Sequence, residues 1–332
     1  MKAKLIIPLI LLFLLVPFFV LIFFVRDTPV KTMNDNFIWE FRSVDTVKYS
    51  RDVAGQMLAK PEYDDVINKQ VSDIASLGAS HIAIATPYDA KYVPFLERWV
   101  KSARKYKLKV WFRGNFSGWE NWFGYERITR EEHKKLLAEF IVNNPALFED
   151  GDIFTSCPEC ENGGPGDPRL NGDPEGHKKF LIEEYKISLE SFGKINKKVN
   201  SGFYSMNYDV AKLIMDRETT RALGNIVVID HYIKDPLQVA QDAKAIAETS
   251  GGNVILGEFG APIPDIHGEF TEEEQSKWIE DGLNASSKIP EIIGVNYWVN
   301  VGGSTRLWND DGSKRKAADT IKKYFTATTP AN

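Results

Sequence analysis

Eight apolar, strand-like runs alternate with amphipathic stretches along this 332-residue chain. That alternation predicts an α/β fold whose parallel sheet closes as a (β/α)8 barrel. Two further observations favour the barrel over a doubly wound open sheet. No glycine-rich phosphate loop follows the first run, and no Walker-type lysine motif occurs. The seventh run, Val254-Ile255-Leu256-Gly257-Glu258-Phe259-Gly260-Ala261-Pro262, ends in a carboxylate between two glycines. Glycine lets the backbone turn sharply and other groups approach closely. The C-terminal end of a strand is where such barrels place their chemistry.

The elements follow in order, each strand a short apolar run bounded by turn residues. The first is predicted at Phe37 to Phe41, with a helix near Tyr63 to Leu77 closed by Gly78. The second is His81 to Ala85, with a helix near Tyr92 to Tyr106, and the third is Leu108 to Phe112, with a helix near Thr129 to Asn143. The fourth is Asp152 to Ser156, and a long Gly/Pro/Asn/Asp loop leads to a helix near Pro174 to Phe192. The fifth is Val199 to Tyr204, with helix-like segments near Tyr208 to Leu223. The sixth is Ile226 to Asp230, with a helix from about Pro236 to Glu248. The seventh ends in Glu258, and Thr271 with the acids after it opens the next helix. The eighth is Ile292 to Trp298, and a last helix runs near Lys314 to Phe325.

Ahead of this series, Lys2 and Lys4 precede an uninterrupted apolar run from Leu5 to Val25. It is long enough to span a bilayer, Pro8 and Pro17 are tolerated in such helices, and no small-x-small cleavage site follows. The expected organisation is a transmembrane signal anchor over 1–26, a linker over 27–35, the barrel over 36–326 and a disordered tail over 327–332. The two lysines put the N-terminus in the cytoplasm and the barrel outside, although Arg26 and Lys31 weaken that orientation. Cleavage of the segment would instead give a secreted protein.

Net charge is −5, which argues against a nucleic-acid partner. Hydrophobic content of 43% allows a large core, and the 8 Trp and 12 Tyr suit sugar faces as well as ordinary packing. The five His are scattered without a His-x-His or comparable cluster, which argues against a metal-dependent hydrolase. No metal and no organic cofactor is expected. The two cysteines, Cys157 and Cys160, follow the fourth strand and frame Glu159. Two ligands are too few for structural zinc, which leaves a local disulfide or two free thiols.

Glu159 and Glu258, ending the fourth and seventh strands, would face each other across the barrel mouth. That is the arrangement retaining glycoside hydrolysis requires, with one carboxylate as nucleophile and the other as acid/base about 5–5.5 Å away. At these residues the chain resembles the retaining glycoside hydrolases of clan A, which include family 5 and are TIM barrels. Leu256-Gly257-Glu258-Phe259-Gly260-Ala261 matches the setting of their nucleophile. Ser156-Cys157-Pro158-Glu159-Cys160 lies where they carry Asn-Glu-Pro, with Pro158 for the Asn and Cys160 for the Pro. Glu161 competes with Glu159 for the acid/base role.

The resemblance implies further contacts. In Asp230-His231-Tyr232, Tyr232 or His231 would orient the nucleophile, and Trp298 would floor the sugar subsite. Gly302 to Lys314 resembles the clan's run into the last helix. The usual Arg from the second strand is missing, and Arg113 or Arg42 could replace it. Asn115, Trp119, Trp122 and Tyr204 are further candidates for substrate contact, the two Trp rings as stacking platforms or as loop packing. The loop from Gly163 to Asp173 offers oxygens for calcium, or plain Asx turns. The expected activity is cleavage of an oligo- or polysaccharide outside the cytoplasm. The alternative is an inactive barrel that binds glycans with the same rim.

Overall fold

The computed structural model describes residues 39–164 and 166–327. The predicted anchor, the linker and nearly all of the tail lie outside the described residues. Among the described residues, no helix is long and apolar enough to cross a membrane.

Eight strands form one sheet: β1 (Phe41–Asp45), β2 (His81–Ile84), β3 (Lys109–Phe112), β4 (Ile153–Phe154), β5 (Ser205–Asn207), β6 (Ile226–Asp230), β7 (Asn253–Phe259) and β8 (Ile292–Tyr297). All ladders are parallel, in the order β4-β3-β2-β1-β8-β7-β6-β5. The sheet curls until its outer strands approach. Ile153 bridges Asn200, just before β5, and the Phe154 and Asn200 amides donate to Asn200 O and Asp152 O at 2.8 Å each. This arrangement is consistent with a TIM barrel.

The principal helices are α1 (Tyr63–Ser76), α2 (Val93–Lys105), α3 (Arg130–Asn143), α4 (Pro174–Lys194), α5 (Tyr208–Ile214), α6 (Arg217–Ala222), α7 (Pro236–Ser250), α8 (Glu272–Ser286) and α9 (Lys316–Phe325). Their starts carry the expected signals. Asp173, Asp216 and Asp235 cap α4, α6 and α7 with side-chain oxygens, and Thr271 with Glu274 forms a capping box on α8.

Two strands depart from the prediction. β1 begins at Phe41, where the predicted run ends. The predicted run ignored Ser43 and Asp45, yet both are buried strand residues. In the fifth unit only Asn200 of the predicted run bridges, and the ladder starts at Ser205. Gly202 interrupts the extended chain with φ +83°, and a Cβ there would lie 2.4 Å from Leu223 O.

Side-chain alternation builds two apolar layers. Phe41, Ala83, Trp111, Ile153, Phe203, Val228 and Ile255 fill the barrel interior. Ile84, Phe112, Leu256 and Phe259 face outward, into a cluster with helix residues such as Phe95, Leu137, Phe180 and Trp278. β7 breaks the alternation once. Ile229 pairs with Leu256, but Asp230 pairs with Glu258, and the register against β8 shifts over the same stretch. β7 thus carries one residue more than its neighbours between Leu256 and Phe259. Leu256 and Phe259 both point to the helices, and Glu258 points inward.

Candidate active site

Two residues beyond the inner apolar ring, the same alternation sets polar side chains at the barrel mouth. Trp111 is followed by Arg113 and Val228 by Asp230, while on β1 Asp45 stands four residues beyond Phe41 on the same face. Arg113 is the hub. Its Nη1 donates to Asp45 Oδ2 and Gly257 O at 3.0 Å each. Its Nη2 donates to Ser205 Oγ at 3.0 Å and to Glu258 Oε1 at 3.1 Å, and lies 3.5 Å from Asp230 Oδ2. Burial works against the guanidinium charge, but Asp230, Glu258 and Asp45 outweigh it and hold Arg113 protonated. Asn296 completes the ring, donating to Asp45 Oδ2 at 3.3 Å and Gly257 O at 2.9 Å.

Glu258 accepts from Arg113 on Oε1 and from the Tyr232 hydroxyl on Oε2 at 2.7 Å. Its side chain is 15% exposed. Burial pushes its pKa up, to about 7, against the pull of Arg113, with Glu159 and Asp45 adding to the rise and Tyr232 opposing it. Burial and the Glu258 charge keep the Tyr232 hydroxyl protonated, as a donor. The glycines around Glu258 serve close approach. A Cβ on Gly257 would lie 2.5 Å from Asp230 Oδ1, and one on Gly260 would lie 2.6 Å from Trp298 O.

Glu159 follows β4 in the left-handed region at φ +46°, uncommon for a residue with a Cβ. A disulfide between Cys157 and Cys160 closes the chain around it, and its amide donates to Ser205 O at 2.7 Å. One carboxylate oxygen each of Glu159, Asp230 and Glu258 lie within 4.8 Å of one another. Burial raises the Glu159 pKa, and the Glu161 charge adds to the rise. Glu161 is 3% exposed. Its Oε1 accepts from the Asn207 amide at 2.7 Å and from Asn207 Nδ2 at 3.0 Å. Glu159 and Glu258 both line one cavity of about 320 Å³, whose lining does not include Glu161.

The remaining candidates divide. Trp122 lines the cavity, with the Arg51 guanidinium 4.7 Å from its ring centre. Trp298 is half-buried beside Tyr232, ring centres 6.0 Å apart. His231 turns away: its Nε2 meets Asp242 Oδ2 of α7 at 2.7 Å, and its ring stacks on Tyr208. Tyr232 therefore takes the orienting contact that either residue could have made. Trp119 is 1% exposed and stacks on Phe180 of α4. It packs the loop and offers no platform. Asn115 is wholly buried and donates to Glu120 Oε1 at 2.8 Å. Tyr204 is buried. Arg42 donates to Gly78 O and Trp39 O, whereas Arg113 donates to Glu258, so of the two candidates Arg113 is the arginine beside that carboxylate. In the Gly163 to Asp173 loop, Asp167 and Asp173 cap the helical turns that follow, the Asx reading.

Sequence reasoning assigned no role to Asp45, Asp230, Glu120 or Arg51. Asp230 ended a predicted strand and carried the same positional signal as Glu258. Burial and the Glu258 charge raise its pKa well above the ordinary carboxylate range. One guanidinium thus serves three buried carboxylates, and burial leaves Asp230 and Glu258 holding protons more tightly than ordinary carboxylates do.

No protein-family model matches this chain, and no curated protein does. Solved structures do. A GH5_18 glycoside hydrolase from Bifidobacterium longum subsp. infantis superposes with a TM-score of 0.65 at 15% identity, over 89% of this chain and 81% of the other. GH5_18 from Streptomyces cattleya in complex with GlcNAc gives 0.64 at 16% identity, over 90% and 83%. A β-D-glucuronidase from Dictyoglomus thermophilum gives 0.57 at 15% identity, over 87% of this chain but 50% of that one. At this identity the likeness is one of fold, and the chain shares the fold of these glycoside hydrolases.

Proposed function

We propose that this protein is a retaining glycoside hydrolase, with Glu258 as nucleophile and Glu159 as acid/base. The observation that carries the reading is the pair itself. The two carboxylates come from the end of β7 and the loop after β4, and one oxygen of each lies within 4.8 Å of the other. That is the spacing of direct attack rather than the wider gap that admits a water. The contacts distinguish the two groups, although burial raises the pKa of both. Arg113 and Tyr232 donate to Glu258 and oppose that rise. Glu159 has Glu161 as its strongest charged neighbour, which adds to it.

In the first step Glu258 attacks the anomeric carbon and the glycosidic C–O bond breaks. The bond's electron pair leaves with the departing oxygen, which takes the Glu159 proton. In the second step Glu159 removes a proton from water, whose oxygen displaces Glu258. Trp298, beside Tyr232, supplies an aromatic face for the sugar, and Trp122 another within the cavity.

Similar folds have been solved with Manβ1-4GlcNAc and with GlcNAc, and others are β-glucuronidases. In this cavity Asp45, Glu120, Glu159 and Glu258 face Arg51 and Arg113, and Arg113 is already shared among three acids. That balance supports a neutral glycan over a uronate. The apolar run from Leu5 to Val25 supports tethering of the enzyme to a membrane, with the barrel outside the cytoplasm. Full-length protein should then stay with membranes through a high-salt wash.

The decisive experiment is to trap the intermediate. Incubation with a 2-fluoro aryl glycoside should add one glycosyl mass to the peptide containing Glu258. Labelling elsewhere would overturn the nucleophile assignment. Glycan binding with no turnover of any glycoside would replace the enzyme with a binding protein.

A further inference from the structure

Besides Glu159, Glu258 and Asp45, a fourth carboxyl lines the same cavity, and the two-step mechanism does not use it. Glu120 closes the short turn Ser117–Glu120 after β3 and lines the cavity with Glu159, Glu258, Arg51 and Trp122. Its Oε1 accepts from Asn115 Nδ2 at 2.8 Å. Asn115 Oδ1 in turn accepts from the Phe116 amide at 2.9 Å and meets His133 Nε2 at 3.0 Å. His133 Nδ1 meets Glu184 Oε1 of α4 at 3.2 Å. Asn115, His133 and Glu184 are all fully buried. Trp119 and Phe116 clamp the His133 ring at 4.4 and 5.2 Å between ring centres. Trp119 is itself sealed by Gly163 and Gly164, where any Cβ would lie within 2.4 Å of the indole.

A buried polar chain this well fixed costs more than an apolar core would. What it holds still is the Glu120 carboxyl. Arg51 provides no fixed ion pair for that group, because it bonds Asp52 at 2.8 Å and stacks on Trp122. Glu120, its Oε1 taken by Asn115, lines the cavity together with the Trp122 ring. A ring with an adjacent carboxyl is what a sugar requires: its apolar face stacks and one hydroxyl is bonded.

We propose that Glu120 is a specificity-determining residue that bonds one hydroxyl of the sugar lying on Trp122, with Asn115 and His133 as its positioning residues. The assignment rests on the glycosidase reading, and its test separates the two. The probes are p-nitrophenyl β-mannoside, β-glucoside and β-N-acetylglucosaminide, with the monodeoxy derivatives of whichever the wild type cleaves. Glu120→Ala should lower kcat/KM on the parent glycoside about 10- to 100-fold. On the single deoxy sugar that lacks the bonded hydroxyl, wild type and variant should agree within about twofold. Should Glu120→Ala fail to fold, Glu120→Gln keeps the Asn115 contact and should show the same pattern in smaller measure. Equal losses on every deoxy sugar, or no loss on the parent, would overturn the proposal. If the wild type cleaves none of the probes, the enzyme reading fails alone. Calorimetric binding of the same sugars to wild type and Glu120→Gln then decides: a loss confined to one hydroxyl upholds Glu120, and identical or absent binding overturns it.

Discussion

The two carboxylates of the site stand on opposite kinds of scaffold. Glu258 lies in β7, the longest strand, paired on both sides by β6 and β8. Glu159 follows β4, which has only 2 residues in strand geometry, and its nearest neighbour across the gap is the 3-residue β5. Ladder hydrogen bonds over-determine the position of Glu258. Glu159 owes its position to a disulfide, one amide hydrogen bond to Ser205 O and a left-handed backbone. A displacement allowance of a fraction of an ångström in the nucleophile would abolish attack, whereas a proton donor tolerates more. The stiffer half of the sheet carries the group with the stricter geometry.

The largest effects should come from the carboxylates themselves. Glu258→Gln should reduce turnover of every substrate to background, since no covalent intermediate can form. Glu159→Gln should cost about 10²- to 10⁴-fold on a glycoside whose leaving group needs protonation. With an activated leaving group the first step should survive, glycosyl-enzyme should accumulate, and azide should restore turnover. Equal loss in both variants with no rescue would mean the roles are misassigned.

Removing the hub should come next. Arg113→Met strands Asp45, Asp230 and Glu258 without their shared cation, at a cost of about 3–5 kcal/mol. A chemical denaturation curve should show that loss, and Arg113→Lys should recover only part of it, because one ammonium cannot match the guanidinium fork. A loss below about 1 kcal/mol would remove Arg113 as the organising charge.

Opening the disulfide should cost less and act on one half only. Cys157→Ser with Cys160→Ser should lose about 2 kcal/mol, because the loop it closes is short. Turnover should fall more on glycosides with poor leaving groups than on activated ones. A uniform fall would show that the cross-link supports the whole mouth and not Glu159.

The smallest effect should be a pH-dependent difference in thermal stability. Burial pushes the Glu120 pKa up, to about 7, despite its bond from Asn115. The folded state thus holds this proton more tightly than the unfolded chain does. Its contribution is fully present below the unfolded pKa and is lost as pH rises through about 7. Glu120→Gln stays neutral throughout. Its Tm relative to wild type should therefore rise by a few degrees between pH 5 and pH 8. A difference that is flat with pH would show that Glu120 ionises freely in the fold.

What could be read beforehand follows the same division. Glu258, Glu159, Tyr232 and Arg113 stand at or just past the ends of strand-like runs, and position together with the clan A resemblance brought them forward. Asp45 stands at a strand end too, but it was hidden because the first strand was placed too early, at the more apolar Phe37 to Phe41. His231 and Tyr232 are adjacent and equally suited to orienting a carboxylate. Only Asp242, brought over by α7, draws His231 aside. Trp119 and Trp122 share one loop and one composition. Phe180, distant in sequence, covers one ring and leaves the other on the cavity. Glu120 gave no local signal at all, since its role depends on His133 and Glu184 arriving from two helices.

The extra residue in β7 has a consequence for how such a site is gained or lost. Deleting Gly257 would leave Leu256 facing the helices and Glu258 facing the mouth, because the chain would resume regular alternation without the extra residue. What it would remove is the Gly257 carbonyl, which accepts from Arg113 Nη1 and Asn296 Nδ2. Such a deletion variant should keep its carboxylate in the mouth yet lose most of its turnover, and unchanged activity would show that the extra residue positions nothing. In design terms, this carboxylate could be transplanted onto a regular strand, but the carbonyl that anchors the arginine would have to be supplied separately.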